Sequence, residues 1–420
     1  MAGEIELLAK RSLVGLVGYD AAGLVGRMDI AARSTRFVTA GDGLMNVNSA
    51  GNKFLNFRRR RVAKTRITNP RIIIPNFYMS GSNEVGTGSA ATVNGASFEI
   101  KGVVTAVTFS GAATGTVPNL SFLVSDPLPN TVIEKGEVFF AKGYLNFPSG
   151  MAYRSDAAGS IQNALGGDCF EYSANALTDR TLTSGPFTSS DASNVFEPII
   201  VGDSDDPALF WLGDSTFSGV GDTLAQYDDT NCAGFTKTLG QFFGGFNAGV
   251  GSATAAGFTA AVRTNRTILA NTYATHLIQG HTLNMLGNTL VSMQTDLTNE
   301  RILFPNLRAL MTTAPPNGAT TDAGATVANQ TPGANESKRT ALNDWKRLCP
   351  AVGIGANAAQ ADWSGCIDIA SVFEVNAAGV KTRNGGRYPA GMSADMLHPT
   401  SAGYQMARDA GAMLRAALAA

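Results

Sequence analysis

The sequence predicts two successive parts of different architecture: a β-sandwich-like domain, followed by a three-layer α/β/α domain with a parallel sheet. Short runs rich in Val, Ile, Phe and Thr, separated by turn residues, fill 65–150 and indicate a sandwich. After about residue 196, strand-like and helix-like segments alternate, which is typical of a parallel sheet covered by helices. The 420 residues are also too many for one small core. We expect an N-terminal arm (1–50), a β-sandwich-like domain (51–195) and an α/β domain (196–420).

The composition limits the classes of partner that the sequence suggests. The formal net charge is −1 and charged residues make up 15%, so nothing demands nucleic acid or an anionic membrane. No apolar run approaches the roughly 20 residues of a membrane span. The first residues include acids and lack a basic stretch before an apolar one, so we expect no signal peptide. The compartment stays open between the cytoplasm, a virion and non-classical export.

Metal-binding residues are sparse. The three histidines and the absence of any Cys-x-x-Cys predict neither a metal site nor a cofactor. Cys349 and Cys366 could form a disulfide, but buried thiols are favoured for all four cysteines, Cys169 and Cys232 included.

The arm, 1–50, shows no clear periodicity and could pack on a neighbour or on the next domain. The basic run Arg58 to Arg61 could contact a polyanion, but a paired charge cluster or a solvated strand edge is favoured in a nearly neutral chain. Strands are predicted at 71–78, 96–100, 103–109 and 137–144, and a Ser/Thr-rich connector at 177–194.

In the second half, the sequence predicts strands that alternate with helices. Strands are expected at 208–212, 245–250, 273–279, 307–312 and 366–370, and helices at 225–243, 254–270, 284–300, 337–348 and 401–420.

Two distant motifs supply the groups for acyl transfer. Gly213, Asp214 and Ser215 follow the first strand of the α/β pattern, while Asp395 and His398 precede its last helix. Functional groups collect at the carboxyl ends of strands in such sheets. A serine hydroxyl needs a base to become a nucleophile, and a carboxylate orients that base. The sequence therefore predicts a Ser215–His398–Asp395 site.

Two alternatives are weaker. Ser204 also follows a Gly-Asp pair, but the next residues, Asp205, Asp206 and Pro207, suit a turn. An α/β-hydrolase needs Gly-x-Ser-x-Gly, and Phe217 stands where the second glycine belongs.

Residues 200–420 resemble the SGNH (GDSL-type) hydrolase superfamily, through Gly213-Asp214-Ser215 and Asp395-x-x-His398-Pro399. The resemblance implies a flavodoxin-like α/β/α domain and a serine esterase that needs no metal. It makes Ser215 the nucleophile and an oxyanion donor through its backbone N–H. His398 becomes general base and then acid, with Asp395 as its orienting carboxylate.

The middle blocks of that family match less closely. The glycine that donates a second N–H to the oxyanion is matched to Gly251, although an ungapped match falls on Ser252. The family's third block is Gly-x-Asn-Asp, but Gly280 is followed by His281 and Thr282, so Thr282 stands where the oxyanion Asn is expected. Asn284 could replace it, and Asn288 lies one turn further on.

Other residues have weaker assignments. His281 and Asp214 are candidate wall residues of the site, while His276, on an apolar strand, is expected in the core. Phe217 and Tyr388 are wall candidates too, with core packing at least as well favoured. More loosely, Asn76-Phe77-Tyr78 and the Asp126-Pro127 turn resemble the carbohydrate-binding or packing β-domains that precede some bacterial and phage SGNH units.

The function expected from this resemblance is hydrolysis of small acyl esters, acetyl esters above all, on carbohydrates through an acyl-serine intermediate. A lipase, thioesterase or arylesterase would use the same triad. A non-catalytic glycan-binding virion or surface protein is the third reading. The expected partner is an acylated carbohydrate, and the oligomeric state is left open.

Overall fold

The computed structural model describes residues 35–39, 43–155, 167–189, 194–222, 232–348 and 363–419. Antiparallel sheets make up the first half of this chain, and one parallel sheet with helices makes up the second.

Sixteen strands precede the parallel sheet in the described residues. They are β1 (Thr35–Phe37), β2 (Val47–Ser49), β3 (Phe54–Val62), β4 (Ile67–Pro75), β5 (Phe77–Ser80), β6 (Asn83–Gly86), β7 (Ala91–Ile100), β8 (Val103–Ala106), β9 (Gly115–Val117), β10 (Phe122–Val124), β11 (Val132–Ile133), β12 (Val138–Asn146), β13 (Met151–Ser155), β14 (Cys169–Ser173), β15 (Asn194–Val195) and β16 (Ile199–Asp203).

Two larger antiparallel sheets share one apolar core. One runs β14-β3-β12-β7-β8 with β9 beside β7, and the other runs β1-β16-β4-β10 with β11 beside β4. Alternate residues of their strands are fully buried in that core, among them Leu55, Phe98, Phe139, Ile72 and Ile74. This period of two follows from strand geometry, because successive side chains point to opposite faces of a sheet. The prediction that the first half consists of β-strands is confirmed, and a β-sandwich-like domain there stays a prediction.

Strand β16 extends the antiparallel part beyond residue 195. It pairs with β4 on one side, through Ile199 and Ile73, and with β1 on the other, through Gly202 and Arg36. The described end of the expected arm and the first strand of the expected α/β domain therefore hydrogen-bond in one sheet. The division of the chain into domains stays a prediction.

The second half contains a five-stranded parallel sheet, so the predicted α/β architecture is confirmed. Its order is β18-β17-β19-β20-β23, and β21 and β22 form a separate two-stranded sheet. The strands are β17 (Ala208–Gly213), β18 (Gly244–Asn247), β19 (His276–Gly280), β20 (Arg308–Thr312), β21 (Gly318–Thr320), β22 (Gln330–Pro332) and β23 (Gly365–Ile367). Because the sheet is parallel, the carboxyl ends of these strands meet at one edge.

Helices connect these strands. They are α1 (Ser215–Ser218), α2 (Lys237–Gly240), α3 (Ala255–Ala260), α4 (Thr264–Tyr273), α5 (Leu290–Ile302), α6 (Glu336–Arg347), α7 (Ala370–Phe373) and α8 (Ser401–Ala419), with 3-10 turns at Gly234–Thr236 and Leu283–Met285. Within the described residues, no helix has both the length and the apolar composition needed to cross a membrane.

Three predicted helices differ from those found. Residues 225–231 of the helix expected at 225–243 lie outside the described residues, and the rest includes a 3-10 turn and α2. Gly234 explains the break, because it has φ +55° and a Cβ there would collide with the carbonyl of Thr216. The helix expected at 254–270 is two helices, since Ala261 is extended after α3. The helix expected at 284–300 begins only at Leu290.

The two halves are joined by direct contacts. The amide of Gly245, in edge strand β18, donates to the carbonyl of Thr39 at 2.8 Å, next to β1. The rings of Phe37 and Phe246 stack with centroids 5.7 Å apart. Residues 35–39 therefore lie along the outer strand of the parallel sheet as well as pairing with β16.

The hairpin β5–β6 makes a second, ionic junction. The Glu84 carboxylate accepts hydrogen bonds from the backbone amides of Asn265 (2.9 Å) and Arg266 (2.8 Å), at the start of α4. The Arg266 guanidinium donates to the same carboxylate at 3.0 Å, and both side chains are buried. A buried carboxylate of one half is thus neutralised by the other half.

Three of the four arginines in the basic run form a buried cluster of ion pairs. A paired charge cluster is one of the two interpretations favoured from the sequence. Arg58 forms two hydrogen bonds with Glu99, while Arg59 and Arg61 both bind Glu197. These three arginines are at most 6% exposed, which leaves them out of reach of a polyanion. Cys169 and Cys232 are buried and Cys366 is half-buried, while Cys349 lies outside the described residues.

Candidate active site

The nucleophile candidate lies at the carboxyl end of strand β17. Gly213 ends the strand, Asp214 caps the short helix α1, and Ser215 is the first residue of that helix. Asp214 Oδ1 accepts from the amide of Thr216 at 3.0 Å and from its hydroxyl at 2.7 Å. An aspartate is among the preferred N-cap residues for this reason. The cap fixes the turn that presents Ser215 beyond the sheet edge.

Asp395 and His398 lie on a tight turn before α8. Asp395 Oδ1 accepts from the amides of Leu397 (2.8 Å) and His398 (2.7 Å), and Met396 between them takes a left-handed φ of +61°. The other carboxylate oxygen, Oδ2, is 2.7 Å from Nδ1 of His398. The turn thus aims one oxygen of Asp395 at the backbone and the other at the imidazole.

The two motifs meet at the sheet edge. Nε2 of His398 lies 2.9 Å from Oγ of Ser215, although 183 residues separate them in sequence. The His398 side chain is 17% exposed and that of Asp395 is 52% exposed, so the group is open to solvent on one side. The structure brings together all three residues expected to form the triad.

The Asp395 carboxyl is tuned toward its ionised form. Partial burial raises its pKa, but hydrogen bonds from the His398 side chain and from the amides of His398 and Leu397 outweigh that effect. The net result is a pKa below the ordinary value for aspartate. An ionised carboxylate at this place can hold Nδ1 of His398 protonated and leave Nε2 as the acceptor for the serine proton.

Phe217 fills the space beneath the nucleophile. Its ring lies against Gly213 and Gly280, at the carboxyl ends of neighbouring strands, and its Cβ lies close to Gly249. A Cβ at Gly213 would lie 2.6 Å from the ring and one at Gly249 would lie 2.8 Å from the Phe217 Cβ, while one at Gly280 would overlap the ring. Phe217 is 2% exposed and packs edge-on against Phe235. It belongs to the core.

Two residues after β18 are candidates for the second oxyanion donor. Gly251 is exposed, and a Cβ placed on it would meet no atom within 4 Å. Ser252 has φ +62°, in the left-handed region that favours glycine. Which of the two residues donates to the oxyanion stays a prediction.

The third block follows β19. Asn284 donates from Nδ2 to the carbonyl of Ala253 at 3.1 Å, so its side chain ties this block to the segment that follows β18. Thr282 is 2% exposed, and its amide lies 3.4 Å from Oδ2 of Asp214, beside that of Leu283 at 3.3 Å. Asn288 donates its amide to Met285 and is exposed. Asp214 is therefore buried and connects the turn of Ser215 to this loop. The expectation that Asp214 lines the wall of the site is corrected.

The other two histidines lie in the core. His281 is 1% exposed and its Nδ1 is 2.6 Å from Glu300 Oε1, so the expectation that it lines the site is corrected: the ring faces a buried carboxylate of α5. His276 is packed in β19 as predicted. Its burial, with Arg308 and Arg36 nearby, lowers its pKa to about 3.

The remaining candidates lie away from the open side. Ser204 is 8% exposed, with its Oγ 2.6 Å from the hydroxyl of Thr65, so it is hydrogen-bonded within the antiparallel half. Tyr388 is buried and donates to the carbonyl of Leu397 at 3.3 Å, which supports the turn of His398 from behind. Among the described residues, no cluster of three or more His, Cys, Asp or Glu side chains is placed to hold a metal ion.

Sequence reasoning missed Ser393. Its side chain is fully buried beside the turn of Asp395 and His398. The Ser-x-Asp spacing was available in the sequence, but its partner, a backbone carbonyl five residues on, carries no sequence mark.

No family model and no curated protein sequence matches the chain. Among solved structures, the chain is similar to a carbohydrate acetylesterase family member from Sinorhizobium meliloti, with 14% identity and a TM-score of 0.33 over 51% of this chain and 100% of that one. It is also similar to a carbohydrate esterase family 2 enzyme plus carbohydrate binding domain from Corynascus thermopiles (Myceliophthora fergusii), with 11% identity and a TM-score of 0.35 over 92% of this chain and 98% of that one. A family two carbohydrate esterase from Clostridium thermocellum in complex with cellohexaose is similar at 11% identity and a TM-score of 0.32, over 92% and 99% of the two chains.

The first strand of the parallel sheet ends at Gly213 and is followed by Asp214 and Ser215, and the last helix is preceded by Asp395 and His398. In these features the chain resembles the SGNH (GDSL-type) hydrolase superfamily.

Proposed function

We propose that the protein is a serine esterase that hydrolyses short acyl esters, acetyl esters on carbohydrates in particular, through an acyl-Ser215 intermediate. The observation that carries this proposal is the continuous hydrogen-bonded path Ser215 Oγ–His398 Nε2 (2.9 Å) and His398 Nδ1–Asp395 Oδ2 (2.7 Å). A hydroxyl within hydrogen-bond reach of an oriented imidazole is the arrangement that nucleophilic catalysis by serine requires.

The proposed reaction has two halves. Ser215 Oγ attacks the ester carbonyl carbon while His398 Nε2 takes the hydroxyl proton, and that proton then leaves with the alcohol as the C–O bond breaks. Water next attacks the acyl-serine carbonyl and gives a proton to His398, which returns it to Ser215 Oγ as the acid departs. Asp395 stabilises the charged imidazole in both halves.

The oxyanion needs donors on the side of Ser215 away from His398. We assign the backbone N–H of Ser215 and one N–H from the segment after β18, that of Gly251 or Ser252. Asn284 is the side-chain candidate, because it reaches this segment at Ala253. Each oxyanion donor is worth roughly 2.7–4 kcal/mol of transition-state stabilisation.

The preference for short acyl groups rests on Phe217. A long acyl chain needs an apolar channel next to the nucleophile, and the ring of Phe217 occupies the space beside Gly213 and Gly280. An acetyl group needs no such channel. The same argument ranks a lipase or long-chain thioesterase below an acetylesterase.

The carbohydrate part of the proposal rests on exposed, uncharged residues in the segments that follow β18 and β19. Gly251, Ser252 and Asn284 are exposed and carry no charge. Such surroundings admit a bulky, neutral, hydroxylated alcohol portion. The β-sandwich-like half could add contacts with the same polymer.

The test is labelling with a fluorophosphonate, followed by peptide mapping and by hydrolysis assays. Labelling is expected on Ser215, with release of acetate from p-nitrophenyl acetate and from acetylated xylan, and much slower hydrolysis of the octanoate ester. Ser215→Ala should lose both labelling and hydrolysis, while Ser204→Ala should keep them. Equal hydrolysis by Ser215→Ala and the unmodified protein would exclude the proposed mechanism.

One observation favours a second candidate, a non-catalytic glycan-binding protein. Thr282 occupies the sequence position where the family's oxyanion Asn is expected. Its side chain is buried, which places its hydroxyl away from an exposed substrate. Glycan binding without labelling or hydrolysis would support this second function.

A further inference from the structure

We propose that Ser393 is a positioning residue for the triad, which holds the turn of Asp395 and His398 so that the imidazole meets Ser215. The proposal rests on the serine esterase function proposed above and concerns the same site.

Ser393 contacts both ends of the turn. Its hydroxyl donates to the backbone carbonyl of His398 at 2.8 Å and lies 3.3 Å from Oδ1 of Asp395. Oδ1 is the oxygen that also accepts from two backbone amides of the turn, so Ser393 adds a third polar contact to it. The Ser393 hydroxyl therefore contacts both the carboxylate of Asp395 and the backbone of His398.

The need for such a contact follows from exposure. The Asp395 side chain is 52% exposed, and a carboxylate in water rotates freely unless its oxygens are held. Oδ2 can face His398 Nδ1 only while Oδ1 stays bound on the other side. Ser393 is fully buried, so water cannot replace its hydroxyl.

Ser393 is itself held from outside by the loop between β21 and β22. Gly324 of that loop has φ +75° and approaches the carbonyl of Ser393 so closely that a Cβ would overlap it. The amide of Gly391 donates to the carbonyl of Gly324 at 2.8 Å, and that of Gly318 to Met396 at 3.0 Å. The hairpin therefore braces the segment on which Ser393, Asp395 and His398 lie.

The experiment compares Ser393→Ala with a matched control, Ser125→Ala. Ser125 is also a buried serine whose hydroxyl donates to a carbonyl, that of Asp126 at 2.9 Å, but it lies in the antiparallel half. Both proteins are assayed for kcat and KM on p-nitrophenyl acetate, for the rate of fluorophosphonate labelling and for thermal unfolding.

The expected result is a KM-against-kcat split. Ser393→Ala should lower kcat and the labelling rate by about tenfold or more, the loss typical of one hydrogen bond in a charged network, with KM changed less than about twofold. Ser125→Ala should lower the unfolding temperature to a similar extent and leave kcat unchanged. If Ser393→Ala does not fold, Ser393→Cys, which keeps a weak donor of similar size, is expected to fold with an intermediate kcat.

Two outcomes would overturn the inference, and they are distinguishable. If the unmodified protein is labelled and active but Ser393→Ala and Ser393→Cys match Ser125→Ala in kcat, Ser393 does not position the triad and the esterase function stands. If the unmodified protein is neither labelled nor active on any ester tested, the proposed function falls, and this inference falls with it.

Discussion

At the scale of single residues, the site depends on glycines that make room for Phe217. Gly280 ends β19 beside Gly213 of β17, with which it is in register. Neither has a left-handed φ, so the demand for glycine comes from space and not from backbone conformation.

Gly280→Ala tests this demand. The added methyl would overlap the ring of Phe217, and overpacking of this kind typically costs about 1–3 kcal/mol. We expect a matching loss in the free energy of unfolding, measured by urea denaturation. Ester hydrolysis should also be slower, because Phe217 belongs to α1, the helix that begins with Ser215. Gly287→Ala is the control, since a Cβ there meets nothing within 4 Å. Equal stability of the two variants would contradict the packing argument.

Asp395→Asn tests the orienting carboxylate. The amide keeps the size of the side chain but cannot stabilise the charged imidazole, so kcat on p-nitrophenyl acetate should fall by about 10²–10⁴-fold. The low pKa of Asp395 keeps the carboxylate ionised below the ordinary aspartate range, so its own protonation should not limit activity at mildly acidic pH. A variant that retains wild-type kcat would remove Asp395 from the mechanism.

Single residues were predictable from the sequence where a motif stands at a strand end. Ser215, Asp395 and His398 belong to short local patterns, and parallel-sheet topology predicts that their segments meet at one edge. The surroundings of His281 were not predictable, because its partner Glu300 comes from a helix nineteen residues further on. The roles of Gly251, Ser252 and Asn284 stay predictions, since loop paths decide them.

At the scale of secondary-structure elements, the junction of hairpin β5–β6 with α4 holds a buried charge on each side. Glu84 and Arg266 are both shielded from water, and a buried ion that loses its partner is strongly unfavourable.

Glu84→Gln should therefore cost about 3–5 kcal/mol in the free energy of unfolding, measured by guanidinium denaturation. The comparison variant is Glu134→Gln, which removes a pair with Arg66 whose side chains are more than 60% exposed. An exposed pair is worth about 0–1 kcal/mol, so that variant should stay close to the unmodified protein. Similar effects of the two changes would argue against the importance of this junction.

Strand β19 introduces a pH dependence through His276. Burial, with Arg308 and Arg36, lowers its pKa from 6.5 to about 3, so the folded state keeps the ring neutral while the unfolded chain binds a proton below about pH 6.5. Stability is then complete above that pH and declines as the pH falls toward 3. Between pH 7 and 5 the loss should be about 2 kcal/mol.

His276→Gln, which does not titrate, should abolish this part of the slope. The measurement is the free energy of unfolding in urea at several pH values. An unchanged slope in the variant would assign the pH dependence to other groups.

Elements were predicted well where apolar periodicity is long and less well where glycines interrupt it. The strands of the parallel sheet lie within a few residues of their expected places. The helix expected at 225–243 fails at Gly234, whose close approach to Thr216 is a tertiary contact that no local pattern announces. The pairing of β16 with β4, more than 120 residues earlier, is of the same kind.

At the scale of the whole molecule, the two halves share enough contacts to unfold together. The carbonyl of Thr39 binds Gly245 and the carboxylate of Glu84 binds Arg266, so each half completes hydrogen bonds of the other. Because each half completes polar contacts of the other, we expect the two halves to unfold in one cooperative transition.

The three tryptophans make this testable. Trp211, Trp345 and Trp363 all lie in the parallel-sheet half, so their fluorescence reports on that half, whereas far-UV circular dichroism reports on both. The two thermal unfolding curves should have the same midpoint. A circular-dichroism curve with a second step that fluorescence does not follow would show that the halves unfold separately.

The pairing of β1 with β16 has a consequence for protein synthesis. The Thr35 hydroxyl donates to Asp203 at 2.6 Å, although the two residues are 168 positions apart in sequence. Strand β1 therefore cannot pair with its partner until the ribosome has synthesised the chain up to β16. At typical rates of about 5–20 residues per second, that wait is on the order of ten seconds or more. Throughout it the nascent chain presents an unfinished strand edge, which is the kind of surface that chaperones shield from aggregation.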